Sequence, residues 1–223
     1  MNKKFIILIT AATFNTTLVF SQQHQFSIAT DLDFQHSFKK EQRYWAFGQT
    51  AQVQFHLTSK ESIYAWFAYY SNGKFHNDLS ATAKSTATNP QQINYVNNAL
   101  MRYKHISVGW KHYWKGAYVS EEEWNFYSYA GFGLMLGRIE NSYSVSIDTA
   151  IYNVPVRSGK TNFKRLTLDL GLGWEIPLGA DVFLFNEIRV LVPTTDYPSD
   201  HIFVNKNAPL MGSLNFGIRI LFD

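Results

Sequence analysis

Side chains do chemistry when a nucleophile, an acid–base pair or a set of metal ligands is brought together, and this 223-residue chain offers few such groupings. The stretch Tyr69, Tyr70, Ser71, Asn72, Gly73 is the first to test. A serine late in a strand becomes a nucleophile when a base two residues earlier, on the same face, takes its proton. That position holds Tyr69, whose phenol cannot act near neutral pH as an imidazole would. Ser71, Asn72 and Gly73 then read as a strand end, and nothing in the spacing places His76 beside the serine. The other histidines (His24, His36, His56, His105, His112, His201) are scattered without metal-ligand spacing, and His56, His105 and His112 read as lumen or interface residues. No catalytic residue, metal site or cofactor is assigned.

The remaining polar groupings point to surfaces. Glu121 to Glu123 read as a solvated turn, with a divalent cation at a membrane surface as the alternative. PTTDYPSD, residues 193 to 200, reads as a rigid turn. The chain has no cysteine, which excludes a disulfide framework and a thiolate zinc site. It opens MNKKFIILITAATFNTTLVFSQQ, with Lys3 and Lys4, an apolar run from Phe5 and small Ser21, the order of a secretory signal cleaved after Ser21. A retained anchor is the alternative, although the run is broken at Asn15 to Thr17 and is short for a span of about 20 apolar residues. Without residues 1–21 the charges are 18 basic against 17 acidic. That near-neutral balance gives no reason to expect nucleic acid as a partner.

The elements that must position these groups alternate with period 2, and eight candidate strands follow. They cover about 25–35, 44–57, 62–71, 100–113, 124–137, 163–177, 181–192 and 211–222. FKRLTLDLGLGWEIP, residues 163–177, shows the pattern without a fault. Leu166, Leu168, Leu170, Leu172, Trp174 and Ile176 face one way; Arg165, Thr167, Asp169, Gly171, Gly173 and Glu175 face the other. SIYAWFAYYS is aromatic on both faces and cannot be oriented. The fourth strand puts Arg102 and Lys104 on its apolar register at one end.

Strands of roughly 10–14 residues exceed the five or six usual in soluble sheets and match a tilted membrane crossing. The connections alternate long and short, at 36–43, 58–61, 72–99, 114–123, 138–162, 177–180 and 193–210. Long loops on one side and tight turns on the other are the outer-membrane pattern. The fold class is therefore all-β: an eight-stranded antiparallel transmembrane up-and-down barrel, residues 22–223, after a signal peptide.

A soluble lipocalin-like barrel has the same strand count with its apolar face inside. Three features favour lipid outside. Glycines (Gly131, Gly133, Gly137, Gly171, Gly173, Gly217) crowd the charged face, as expected where large side chains from across a narrow lumen need room. The apolar faces run nearly the full strand length. Tyr44, Trp45, Trp110, Tyr113, Trp114, Trp124, Tyr127 and Trp174 at strand ends suit two interfacial girdles. The lumen would then hold Asp31, Asp33, Arg165, Asp169, Glu175, Glu187, Arg189 and Arg219. Pairing Gly173 with Phe185 and Gly171 with Glu187 would set Asp169 beside Arg189. Eight strands leave an interior that side chains fill, so a closed lumen is expected, with a narrow pore as the alternative.

The last strand, Asn215 to Phe222, resembles the C-terminal insertion signal of bacterial outer-membrane barrels through Asn215, Gly217, Ile220 and Phe222, departing from it only in ending on Asp223. With the alternation, this makes the chain similar to the small OmpA/OmpX-type family of eight-stranded outer-membrane barrels. The resemblance implies recognition of Ile220 and Phe222 by the barrel assembly machinery. It also implies a monomer in outer-membrane lipid and lipopolysaccharide, with a structural or interactive role at the cell surface and loops free to meet an extracellular ligand. Arg102 and Lys104 would either meet lipopolysaccharide phosphates or stand above the membrane. The enzymatic alternative is that Tyr69 to Asn72 resembles the H-x-S-N signature of the lipid A deacylases, with Tyr69 in place of the histidine.

Overall fold

The computed structural model describes residues 25–120, 122–179 and 181–222. The expected signal peptide, together with Glu121, Ala180 and Asp223, lies outside them. Along the described chain run β1 (Phe26–Ser37), β2 (Trp45–His56), β3 (Glu61–Ala83), β4 (Gln92–Lys115), β5 (Asn125–Tyr143), β6 (Tyr152–Asn153), β7 (Gly159–Gly179), β8 (Val182–Pro193) and β9 (Met211–Phe222). Eight of these pair antiparallel in chain order, and β1 pairs with both β2 and β9, so the sheet closes on itself. Closure removes the unpaired edges that an open sheet leaves. The two-residue β6 sits outside the ring count, beside Thr82 and Ala83 of β3.

Alternation sorts the side chains cleanly. Phe132 (72% exposed), Leu32, Leu172 and Leu214 point out, while Asp31, Ser107, Asp169 and Arg219 point in. β3, aromatic on both faces, turns Ile63, Phe67 and Tyr69 outward and Tyr64, Trp66 and Tyr70 inward. The expected loop 72–99 is largely strand: β3 and β4 pair on from Gly73 and Met101 to Thr82 and Gln92, leaving a connection at 84–91. In this extension the outer row of β3 is polar and the inner row of Phe75, Leu79 and Ala81 is broken by Asn77, so the period-2 hydrophobic signal is weak there. A register slip between Tyr70 and Gly73, with Asn72 at φ 61°, separates it from the lower strand. β5 and β7 lengthen in the same way, reducing the expected 138–162 connection to the segment between Tyr143 and Gly159.

The glycines of the inner face do make room, but chiefly for rings on the adjacent strand rather than across the lumen. Tyr129 lies over its direct partner Gly171, Tyr127 over Gly173, Phe163 over Gly137 and Phe185 over Gly217. A methyl group added at any of these glycines would fall on the ring.

That packing corrects the expected β7–β8 register. Gly173 pairs with Glu187, Gly171 with Arg189 and Asp169 with Leu191, two residues away from the expected alignment. The cause is local: the strands continue to Gly179 and Val182, with a bulge after Pro177 and a tight turn whose Gly179 (φ 94°) and Asp181 (φ 63°) take left-handed backbone. No ion pair joins Asp169 to Arg189. The girdle expectation is corrected too. Trp45, Trp110, Trp114, Trp124 and Trp174 are exposed, whereas Tyr44, Tyr113 and Tyr127 are buried. Tyr44 and Tyr113 each precede an outward tryptophan, and neighbours in a strand cannot share a face.

Candidate functional site

The polar interior is built in tiers. At its centre Arg189, from β8, is fully buried. Its guanidinium lies 3.0 Å from Glu187, 3.7 Å from Asp31 and 3.6 Å from Asp33, and its Nε donates to the Tyr129 hydroxyl at 2.8 Å. The Trp66 ring covers it at 4.4 Å. Tyr127 and Tyr129 donate to Glu187 at 2.9 and 3.2 Å, Tyr70 donates to Asp33, and Asn215 donates to Asp31 and Asp33 at 3.3 and 3.0 Å. Alternation on β1, β3, β5, β8 and β9 aims all these groups at one volume. A buried charge without such partners would cost several kcal/mol.

Toward the end that carries the tight turns, Arg219 forms a two-point pair with Glu175 at 2.8 and 3.1 Å. It also donates to the Ser27 hydroxyl at 2.9 Å and the Tyr118 carbonyl at 2.8 Å. Lys111 lies 3.9 Å from Glu175 and 3.5 Å from the centre of the Tyr127 ring, and Asn125 donates to Glu175 at 3.2 Å. His56 bridges Ser27 and Ser62, and His105 sits 2.8 Å from Thr167 and 3.4 Å from Asp169. His112 is elsewhere, half-exposed on the outer wall 2.5 Å from Glu61.

At the opposite end Arg165 donates to the carbonyls of Thr195 and Val204 at 3.0 and 2.9 Å, drawing the 194–210 connection over the opening. Ile202 is buried there among Tyr44, Met101, Met135, Phe163 and Met211, and Val204 is buried as well. Asn141 donates to the His201 carbonyl at 2.6 Å, and the Arg157 amide donates to the Asp200 carbonyl at 2.7 Å, so the two long connections hold each other. Beneath them a void of about 20 Å³ is left, room for roughly one water.

The eight inward charges named from the sequence are therefore buried in the ring, divided between the centre, the turn end and the mouth. Asp169 alone takes a partner, His105, that the expected register does not give it. Lys111, Tyr129 and Trp66 complete the tiers without having been singled out, and Tyr127 joins them instead of the girdle expected for it. Lys111 stands on the polar register of the sequence, but the tyrosines are legible only once the glycines opposite them are known. Of the terminal-strand residues, Asn215 and Gly217 face inward and Ile220 and Phe222 outward. Arg102 and Lys104 point outward near the upper end of the wall. Ser71 pairs with Phe47, and Tyr69 is exposed on the outer wall. Among the described residues no group of three or more His, Asp or Glu is placed to hold a metal ion.

No protein-family model and no curated protein matches the sequence. Solved structures do match in shape. Neisserial surface protein A is 13% identical, with 88% of this chain and 97% of that one covered at a TM-score of 0.53. A major outer membrane protein from Thermus thermophilus is 12% identical, with 90% and 100% covered at 0.54. Ail, the attachment invasion locus protein of Yersinia pestis, is 9% identical, with 90% and 100% covered at 0.50. The likeness is one of architecture, and it is the one the alternation and the terminal strand point to: the chain has the fold of the small, OmpA/OmpX-type outer-membrane barrels.

Proposed function

We propose that the protein is an integral outer-membrane barrel with a closed polar lumen and a structural or interactive role at the cell surface. The observation that carries this is the outward face itself. Ile28, Leu32, Val108, Phe132, Leu170, Leu214 and Ile218 are exposed side by side around a closed ring whose interior holds the charges. Such a belt in water would be a far larger apolar patch than soluble monomers tolerate. In lipid it needs no cover, because the strands pair their backbones around the closed ring.

The long connections, with the β3–β4 and β5–β7 extensions, face the outside, and the tight turns and both termini of the barrel face the periplasm. The lumen is closed because Arg189, Arg219, Tyr64, Tyr70 and Phe183 are each less than 2% exposed, which a water-filled bore would not leave. Residues 1–21 serve as the export signal and residues 22–223 as one barrel domain. Ile220 and Phe222 are displayed to the assembly machinery, and lipid and lipopolysaccharide surround a monomer. Refolded in detergent, the chain should run faster unheated than boiled on a gel and resist protease except in its connections. A chain that dissolves and folds without detergent would contradict the reading.

A further inference from the structure

We infer that the mouth of the barrel, beneath the 194–210 connection, holds a site for a soft monovalent metal ion of the Cu(I) and Ag(I) class. Its ligands are the thioether sulfurs of Met101, Met135 and Met211. Apart from Met1, these are all the methionines of the chain. They come from β4, β5 and the first residue of β9, too far apart in sequence to form a motif. In the ring all three are buried, and all three line the same void of about 20 Å³. Methionine also fills core gaps by ordinary packing, so this convergence does not make a site by itself.

The hydrogen bonds around the void point the same way. The buried Tyr44 hydroxyl donates toward the Met101 sulfur at 3.2 Å and the Met211 sulfur at 3.6 Å. Gln42 Nε2 lies 3.7 Å from the Met101 sulfur, and the Tyr103 hydroxyl 3.9 Å from that of Met211. A thioether is a weak acceptor, so these donors gain little from it. What the contacts do is gather two sulfurs about one phenol. A water in the void would meet sulfurs where it needs two to four polar partners. A soft cation meets its preferred ligands there, and the three rotatable bonds of each methionine let the sulfurs close on it.

Charge narrows the choice of ion. No Asp, Glu or His lines the void, and Arg165 borders it with its guanidinium turned to the carbonyls of Thr195 and Val204. Neutral donors beside a fixed positive charge reject zinc and the hard divalent ions, which take carboxylate, imidazole or thiolate ligands. A polarizable ion with one charge is what the donors suit, and the Phe163 ring on the lining adds a π face to it. Ala208 and Pro209 complete the lining, so the connection over the mouth covers the ion. Because the chain has no cysteine, no thiolate competes for it.

The test adds silver nitrate, in chloride-free buffer, to the protein refolded in detergent micelles with ¹³C-methyl methionine. Native mass spectrometry should count one Ag(I) per chain, and the methyl signals of Met101, Met135 and Met211 should move together. Zn(II) should leave them in place. Met101→Leu and Met211→Leu conserve volume, and each should weaken Ag(I) binding by at least the roughly tenfold that losing an indirect metal partner costs. His76→Gln, at an exposed position, should not. The heated-gel shift reports whether each variant folds, and the wild-type methyl signals decide the matter if one does not. Methyl signals that stay in place or move for one methionine alone, unchanged binding in both folded leucine variants, or equal shifts with Zn(II) would each overturn the site.

Discussion

Buried charge governs the residue scale. Glu175 accepts from Arg219 at two points and from Asn125, and it sits inside the ring with Lys111 nearby. Removing the guanidinium leaves a carboxylate in a volume with little water to solvate it. Arg219→Ala should therefore cost about 3–5 kcal/mol, as breaking a buried pair usually does. Glu175→Gln with Arg219→Met removes both charges and should cost markedly less. Urea unfolding of the vesicle-inserted protein, followed by tryptophan emission, checks the order of the two. Equal losses would mean the pair acts through shape rather than charge. Position 69 belongs to this scale as well: Tyr69 is outward and Ser71 sits at a bulge, so the geometry around that serine is one of strand irregularity.

At the scale of elements, what the sequence reveals and conceals follows from where the contrast between faces exists. Inside the apolar band each strand has one greasy side, and the expected 211–222 agrees with β9 to the residue. Above the band the outer side of β3 is polar, and Gly73 and Asn77 interrupt the inner row of Phe75, Leu79 and Ala81, so strand 73–83 looks like loop. Register is hidden for another reason. Alternation fixes which face a residue takes, but a shift of two leaves every face unchanged. What separates Asp169 beside Arg189 from the observed Gly171 beside Arg189 is the bulged turn at Gly179 and the Tyr129 ring from the neighbouring β5–β7 pair. The connection over the mouth is an element that Arg165 ties to the barrel interior, beside the contacts from Asn141 and Arg157. Arg165→Ala frees the carbonyls of Thr195 and Val204, and the segment 194–210 should then be nicked by protease several-fold faster while the gel shift of the barrel stays the same. An unchanged nicking rate would show that Ile202 and Val204 suffice to hold it.

For the whole molecule, the arrangement is an inversion of a soluble protein: charges in the middle, apolar side chains outside, and a closed hydrogen-bonded ring between them. The inversion explains why residues 22–223 can be nearly neutral and polar in composition yet suited to a membrane, since only alternate residues meet lipid. The ring is also uneven in height, since β3, β4, β5 and β7 run well past the ends of β1, β2, β8 and β9. The taller half carries the long hairpin, so contacts at the cell surface are expected on that side. The identity of the outer solvent remains the claim on which everything else depends. Because the chain has no cysteine, single-cysteine probes report it directly. With a polarity-sensitive fluorophore on vesicle-inserted protein, Phe132→Cys and Leu172→Cys should emit as in hydrocarbon, and Ser146→Cys, on an exposed connection, as in water. Water-like emission from all three positions would contradict the account and place the apolar belt against something other than lipid.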